Sequence, residues 1–159
     1  MKRIRMTHDL SNLAALAPLA REITVRGVSH DDDRDALGAL LYLAYLGGPD
    51  QEENNPDEGR REIDRTIDGA YGPFIASASF VASDPEGVVG ASLVTRFEEL
   101  PLLAHLIVHP RIQRRGLGAA LALRSLEALA AHNERVARLA VHPESPARGL
   151  YARLGFVEA

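Results

Sequence analysis

The chain contains no cysteine, which rules out disulfides, thiolate metal sites and thiol nucleophiles. No apolar run approaches the roughly 20 residues that a helix needs to cross a bilayer. The N-terminal "MKRIRMTHDLSNLAALAPLA" starts basic, but Asp9, Ser11, Asn12 and Pro18 interrupt it and no good cleavage site follows, so it does not read as a signal peptide. A soluble, cytoplasmic protein with no membrane partner is the expectation. Lysine is nearly missing: Lys2 stands against 17 arginines. With the abundant alanine, that bias hints at a GC-rich bacterial genome and says nothing of function. Nor is there a surplus of positive charge, and a net charge of −4 argues against general affinity for nucleic acid.

What is present suits one domain: 159 residues, of which 46% are hydrophobic, enough for a proper core. Charge is unevenly spread, with a net of −8 over residues 1–100 and +4 over residues 101–159. The first part suits a cationic partner and the second an anionic one, although ordinary solvated surface would read the same way.

Residues 1–22 read as an extension, either an extra helix or a loose arm, ahead of a domain over 23–159. "ITVRGV" (23–28) alternates as a strand does. In "SHDDDRDALGALLYLAYL" (29–46), capping residues precede Leu37, Leu40, Leu41, Ala44 and Tyr45 at helical spacing. The polar "GGPDQEENNPDEGRR" (47–61) reads as a loop, and 61–70 as a short helix with Ile63 and Ile67 inward. The period then changes to two over 74–83, followed by a turn at "DPEG", a returning strand over 88–97, and a nearly all-apolar, central strand over 102–108 that Pro110 ends. A long, mostly apolar helix (116–133), a strand (136–141), a compact helix (145–155) and a last strand at "FVEA" complete the order. In that compact helix Ser145 is read as N-cap, Pro146 as the first helical residue and Gly155 as C-cap. An antiparallel meander joined to a βαβ unit gives one mixed sheet in a three-layer α/β (α+β) domain with helices on both faces.

The stretch "HPRIQRRGLGAAL" (109–121) holds the chemistry. A helix start leaves N–H groups unpaired and carries partial positive charge, and glycines at 116 and 118 let a bulky anion reach the backbone. These are the elements of a pyrophosphate site. A Walker loop fails, because Gly118 is followed by Ala-Ala and not Lys-Ser/Thr. A dinucleotide fingerprint fails as well: the glycines sit too far from the strand and Leu121 stands where a third glycine belongs. An ordinary helix entrance with incidental arginine and glycine stays open.

"LIVHPRIQRRGLGAAL" resembles the acetyl-CoA-binding motif of the GCN5-related N-acetyltransferases, the GNAT superfamily. There a strand ending in Val-x-Pro precedes Gln/Arg-x-x-Gly-x-Gly/Ala at a helix start, and Gln113, Gly116 and Gly118 fill those places. About thirty residues on, "ESPARGLYARLGF" is similar to the family's Asn-x-x-Ala-x-x-Leu-Tyr-x-x-x-Gly-Phe, matched by Ala147, Leu150, Tyr151, Gly155 and Phe156. The motifs span residues 102–157.

The resemblance implies an acetyl-CoA-dependent N-acetyltransferase that acts directly on a primary amine of a small molecule or peptide, with acetyl-CoA as co-substrate and no metal. It implies that the backbone amides of Arg114, Arg115, Gly116, Leu117, Gly118 and Ala119 bind the pyrophosphate. Main chain around Ile107 and Val108 would hold the pantetheine on an exposed strand edge, and Tyr151 would protonate the leaving thiolate.

Two positions depart from the family. Glu144 stands where Asn is frequent, and Leu102 stands where many members have a glutamate base. By simple alternation His105 falls on the opposite face from 102, 104, 106 and 108, and reads as structural. Glu98 and Glu99 read as too far from the thioester. The base is left to a water chain, a residue of 47–73 such as Tyr71, or none. Eight carboxylates over 50–68 (Asp50, Glu52, Glu53, Asp57, Glu58, Glu62, Asp64, Asp68) face three arginines, which suits a cationic acceptor or merely a solvated loop. A non-catalytic acyl-CoA-binding module on the same fold is the alternative. A short last strand after Phe156 would leave an edge open for a homodimer.

Overall fold

The computed structural model describes residues 2–15 and 18–159. The first element is a strand, β1 (Ile4–His8), in which Met6 and His8 are buried and Arg5 is exposed. The reading of 1–22 as an extra helix or loose arm is therefore corrected for its first part, while residues 1, 16 and 17 lie outside the described residues. The two-residue period of Ile4, Met6 and His8 is short and set among basic residues. It gains meaning only against the strand that it pairs with, so local pattern could not reveal it.

Next come β2 (Thr24–Gly27) and α1 (Arg34–Tyr45). The turn between them is clamped by Asp33, whose carboxylate accepts from the Ser29 amide (2.7 Å) and from both terminal nitrogens of Arg26 (2.8 Å each). Helix α2 runs Pro56–Ile67, so the last six residues of the stretch read as loop are helical. The signal lay in its Asn-Pro: the Asn55 side chain accepts from the Glu58 amide (2.8 Å), and Pro56 occupies the first helical position. The two helices cross at glycines. A Cβ on Gly59 would lie 2.2 Å from the Gly38 carbonyl oxygen, and one on Gly38 2.5 Å from the Arg60 Cα.

The expected strand over 74–83 is shorter, β3 (Phe80–Asp84), because a 3₁₀ turn at Ala76–Ala78 breaks it. Its alternation of apolar residues with serines is genuine, but Ser79 is buried: its hydroxyl donates to the Ile75 carbonyl and accepts from the Val94 amide (both 2.9 Å). Strands β4 (Gly87–Phe97) and β5 (Leu100–Val108) follow, then a 3₁₀ turn at Pro110–Ile112, α3 (Leu117–Ala131), β6 (Ala137–Val141), α4 (Ala147–Leu154) and β7 (Val157–Glu158).

One seven-stranded sheet results, in the order β2-β3-β4-β5-β6-β1-β7. Among the described residues β5 and β6 are the one strand pair that runs in parallel, joined by α3 as a crossover. The α/β expectation holds, with β5 central. On one face, Leu37 and Leu41 of α1 and Ile63 of α2 pack on Leu93 and Ile107. On the other, Leu117 and Leu121 of α3 cover Val89, while Leu123, Leu126 and Leu129 join Tyr151 and Leu154 of α4. Each fully buried leucine contributes about 1.5–3 kcal/mol, so five on one helix anchor it firmly. Inside this layer Ser125 donates to the Ala78 carbonyl and accepts from Ser92 (both 2.7 Å), leaving neither hydroxyl without a partner.

Candidate active site

Strand β5 is zipped to β4 along its length, but to β6 at a single register, Leu102 opposite Arg138. Beyond it the two parallel strands part. The His109 amide donates to the Val89 carbonyl (2.8 Å), which fixes the phase: His109 and, two back, Ile107 turn their main chain toward β4. Leu106 and Val108 therefore present theirs to the gap. The Leu106 carbonyl accepts from the Tyr45 hydroxyl (3.3 Å) and the Val108 carbonyl from Gln113 Nε2 (3.0 Å). Of the pair named from sequence, Val108 faces the gap. Ile107 instead buries its side chain under α1, and Leu106 takes its place.

The gap opens onto the α3 N-terminus. Gly116 is left-handed (φ 82°), as is Arg114 (φ 66°), and this pair of residues turns the chain into the helix. The first intrahelical bond runs from the Ala120 amide to the Gly116 carbonyl (3.0 Å), so the amides of Leu117, Gly118 and Ala119 precede the helical ladder. Arg111 braces the turn from outside, bound to Asp84 (2.7 and 3.0 Å) and Glu86 (3.0 Å) on the β3–β4 hairpin. A cavity of about 820 Å³ fills this region. Ile107, Val108, Gln113, Arg114, Gly116, Leu117, Gly118 and Ala119 all line it, whereas Arg115 is exposed and does not.

A second cavity, of about 350 Å³, adjoins the first, and Tyr45, Asp50, Leu106, Ser145 and Ala147 line both. Tyr151 lines the smaller one. It stands on α4, whose N-cap is Pro146, one residue later than the Ser145 read from sequence. Ser145, just before it, accepts from the Ala147 amide (3.2 Å) and donates to Asp50 (2.7 Å). The Tyr151 ring packs edge-on against Phe156, centroids 5.8 Å apart, and Gly155 (φ 105°) ends the helix beneath it. Burial raises the Tyr151 phenol above its ordinary pKa, and the nearby Asp50 adds to the effect, so it stays protonated at neutral pH. Glu144 is exposed.

The opposite wall of the smaller cavity holds a network that the sequence did not reveal. A bulge in β5 leaves Ala104 without a partner: His105 faces Leu93, and Leu103 faces Val94. The extra residue shifts the alternation. His105 thus shares a face with Leu102, contrary to the expectation, and points toward α2. Its Nε2 lies 3.1 Å from the Thr66 hydroxyl and 3.4 Å from Glu62 Oε2. Tyr71 donates to the same carboxylate (2.7 Å to Oε1), and Arg65 pairs with it at 3.0 Å. Burial alone would raise the Glu62 carboxyl, but hydrogen bonds from His105, Tyr71 and Arg65 hold it at about 2. Glu53, also in this wall, is pushed upward by burial and by Glu62. A signal for Glu62 did exist: Gly59, Glu62, Ile63, Thr66 and Ile67 form the buried stripe of α2, and a carboxylate in such a stripe needs partners. Among the described residues no three His, Asp or Glu side chains gather as a metal site, and no helix is long and apolar enough to cross a membrane.

A family model described as an acetyltransferase (GNAT) domain matches residues 76–158. No curated protein matches the chain. Among solved structures, a GCN5-related N-acetyltransferase from Sphaerobacter thermophilus superposes with a TM-score of 0.76 at 18% identity, over 99% of this chain and 49% of that one. This chain thus spans about half the length of that structure. PH1933 from Pyrococcus horikoshii OT3 gives 0.72 at 20% identity, over 87% and 90% of the two chains. The Salmonella typhimurium protein yncA, solved with its cofactor acetyl-CoA, gives 0.64 at 18%, over 86% and 80%.

Proposed function

Because this chain belongs to the GNAT acetyltransferase family, we propose that it moves an acetyl group from acetyl-CoA directly to a primary amine of a small molecule or peptide. The observation that carries the reading is the parting of β5 from β6, which leaves the main chain of Leu106 and Val108 facing the larger of two adjoining cavities, one at the α3 N-terminus and the next at Tyr151. The residues present fit the donor. A pantetheine arm is a short peptide-like chain, and an unpaired strand edge offers it amide and carbonyl partners. A pyrophosphate suits the amides of Leu117, Gly118 and Ala119 at a helix N-terminus whose N-cap is a left-handed glycine with open space where a Cβ would lie. Arg114 and Arg115 add charge from the rim.

Acetyl-CoA, when bound, supplies an activated thioester carbonyl. The chain's part is to orient that carbonyl along β5, to exclude water beneath Tyr45, and to hold a proton on Tyr151 for the departing sulfur. Tyr151 suits a general acid, since burial keeps its phenol protonated. The adjoining cavity is lined by Asp50, Glu53 and Glu62, and by Glu52 paired with Arg3, a net negative lining that favours an acceptor arriving as a cation.

Calorimetry with acetyl-CoA, CoA and ATP, followed by a screen of polyamines, aminoglycosides and peptide N-termini, tests the reading. Acetyl-CoA and CoA should bind, ATP should not, and at least one amine should be acetylated. Binding with no transfer to any amine would instead identify an acyl-CoA-binding module.

A further inference from the structure

The Glu62–His105–Thr66 cluster has a geometry that fixes a tautomer. The Thr66 hydroxyl donates its one proton to the Glu62 carbonyl, one turn back in α2 (2.9 Å). Toward His105 Nε2, 3.1 Å away, that oxygen can therefore only accept. The Glu62 carboxylate, 3.4 Å from the same nitrogen, also accepts. In the neutral ring Nε2 must therefore carry the proton, and Nδ1 then has a free lone pair and no protein partner among the described residues. The ring itself lines the acceptor cavity, turned there by the bulge at Ala104. The ionisable groups facing it are Glu62 of α2, itself held by Tyr71 and Arg65, and Glu53 from the loop before α2.

Resting on the acetyl-transfer reading above, we infer that His105 is the general base of this site, accepting the proton of the incoming amine at Nδ1, with Glu62 and Thr66 as positioning residues. An acceptor entering as an ammonium gives one proton to Nδ1. The freed nitrogen lone pair forms the C–N bond at the acetyl carbon as the C–S bond breaks. Tyr151 protonates the departing sulfur, and the second amine proton restores its phenol. The sum is ammonium plus acetyl-CoA giving acetamide, CoA thiol and one proton, which His105 passes to water. The arrangement supplies the group that Leu102 cannot, from three residues further along the same strand.

Two measurements test this. The first is ¹⁵N NMR of the histidines in the free protein and needs no turnover. Neutral His105 should show the Nε2–H tautomer, and Thr66→Val together with Glu62→Gln should mix the tautomers; a dominant Nδ1–H form in the wild type overturns the proposal. The second uses the amine found by the screen. His105→Gln should lower kcat/KM about 10²-fold at neutral pH and remove the rising limb of its pH profile, while acetyl-CoA affinity by calorimetry is unchanged. A His105→Gln protein that transfers at the wild-type rate sinks the role of His105 and leaves the transferase reading intact. A wild type that acetylates no amine sinks both.

Discussion

The two cavities that meet at Tyr45 are built from different materials. The larger is walled by main chain: the free edge of β5, the left-handed turn at Gly116 and the first amides of α3. Apart from Gln113 and Arg114, its motif residues contribute backbone or small apolar surface. The smaller is walled by side chains, and most of its polar ones are titratable, among them Asp50, Glu52, Glu53, Glu62, Tyr71, His105 and Tyr151, with Arg3 and Tyr45 beside them. A site made of backbone should read any ligand with the right phosphate and amide spacing, and tolerate changes that spare chain geometry. A site made of side chains selects by charge and shape, and one substitution can alter it. The contrast suits a common donor on one side and a particular acceptor on the other.

The largest expected effect falls where the cavities join. Tyr151→Phe should lower kcat about 10²–10⁴-fold, equivalent to about 3–5 kcal/mol, while acetyl-CoA binding by calorimetry stays within twofold. Weakened binding with unchanged kcat would move Tyr151 to the donor side of the comparison. Next comes the support of the side-chain pocket. Gly59→Ala thrusts a Cβ into the Gly38 carbonyl and must wedge α1 from α2, which should cost about 1–3 kcal/mol in denaturant unfolding. It should also raise KM for the amine more than that for acetyl-CoA.

On the main-chain side, Gly116→Ala meets no atom but must hold φ near 82°. A loss of about 1–2 kcal/mol in stability or acetyl-CoA binding is expected. Gly118→Ala serves as its control, because the new Cβ would meet Leu150 and Val108 at 3.5 and 3.6 Å, ordinary contact distances. It should change stability by less than about 0.5 kcal/mol.

A different kind of test separates the cavities by pH. The folded Glu62 carboxyl sits at about 2, below its ordinary 4.5, so its stabilisation is full above 4.5 and is lost as pH falls toward 2. Glu62→Gln should flatten Tm against pH across that window. An unchanged slope would mean that the network around His105 does not hold this charge.

How far the sequence could be read follows the same division. Gly116, Gly118 and Gly155 stood out because their tasks are local: a turn, a helix entrance and a cap are set by neighbours along the chain; Gln113, Leu150 and Tyr151 stood out only through the resemblance to the family's two motifs. The compact α4 was legible for that reason, its C-cap at Gly155 as read and its N-cap at Pro146, one residue after Ser145. Strand β1 was not, since its five residues make a strand only beside β6. The strand read over 74–83 overran because Ser79 uses its hydroxyl on the Ile75 carbonyl and the Val94 amide, a use that alternation does not encode.

By itself, then, the sequence determined the βαβ half, the order of its motifs and the glycines of the α3 entrance, because hydrophobic period, caps and left-handed positions act over a few residues. Only the tertiary structure decided which strand groups face the gap and which side chains meet in the smaller cavity. One extra residue at Ala104 reverses the face of His105, and the glycine crossing of α1 and α2 sets Glu62 against it across 43 residues of chain. Pairing across strands and packing between helices fix those choices, and neither is written in any single stretch of the chain.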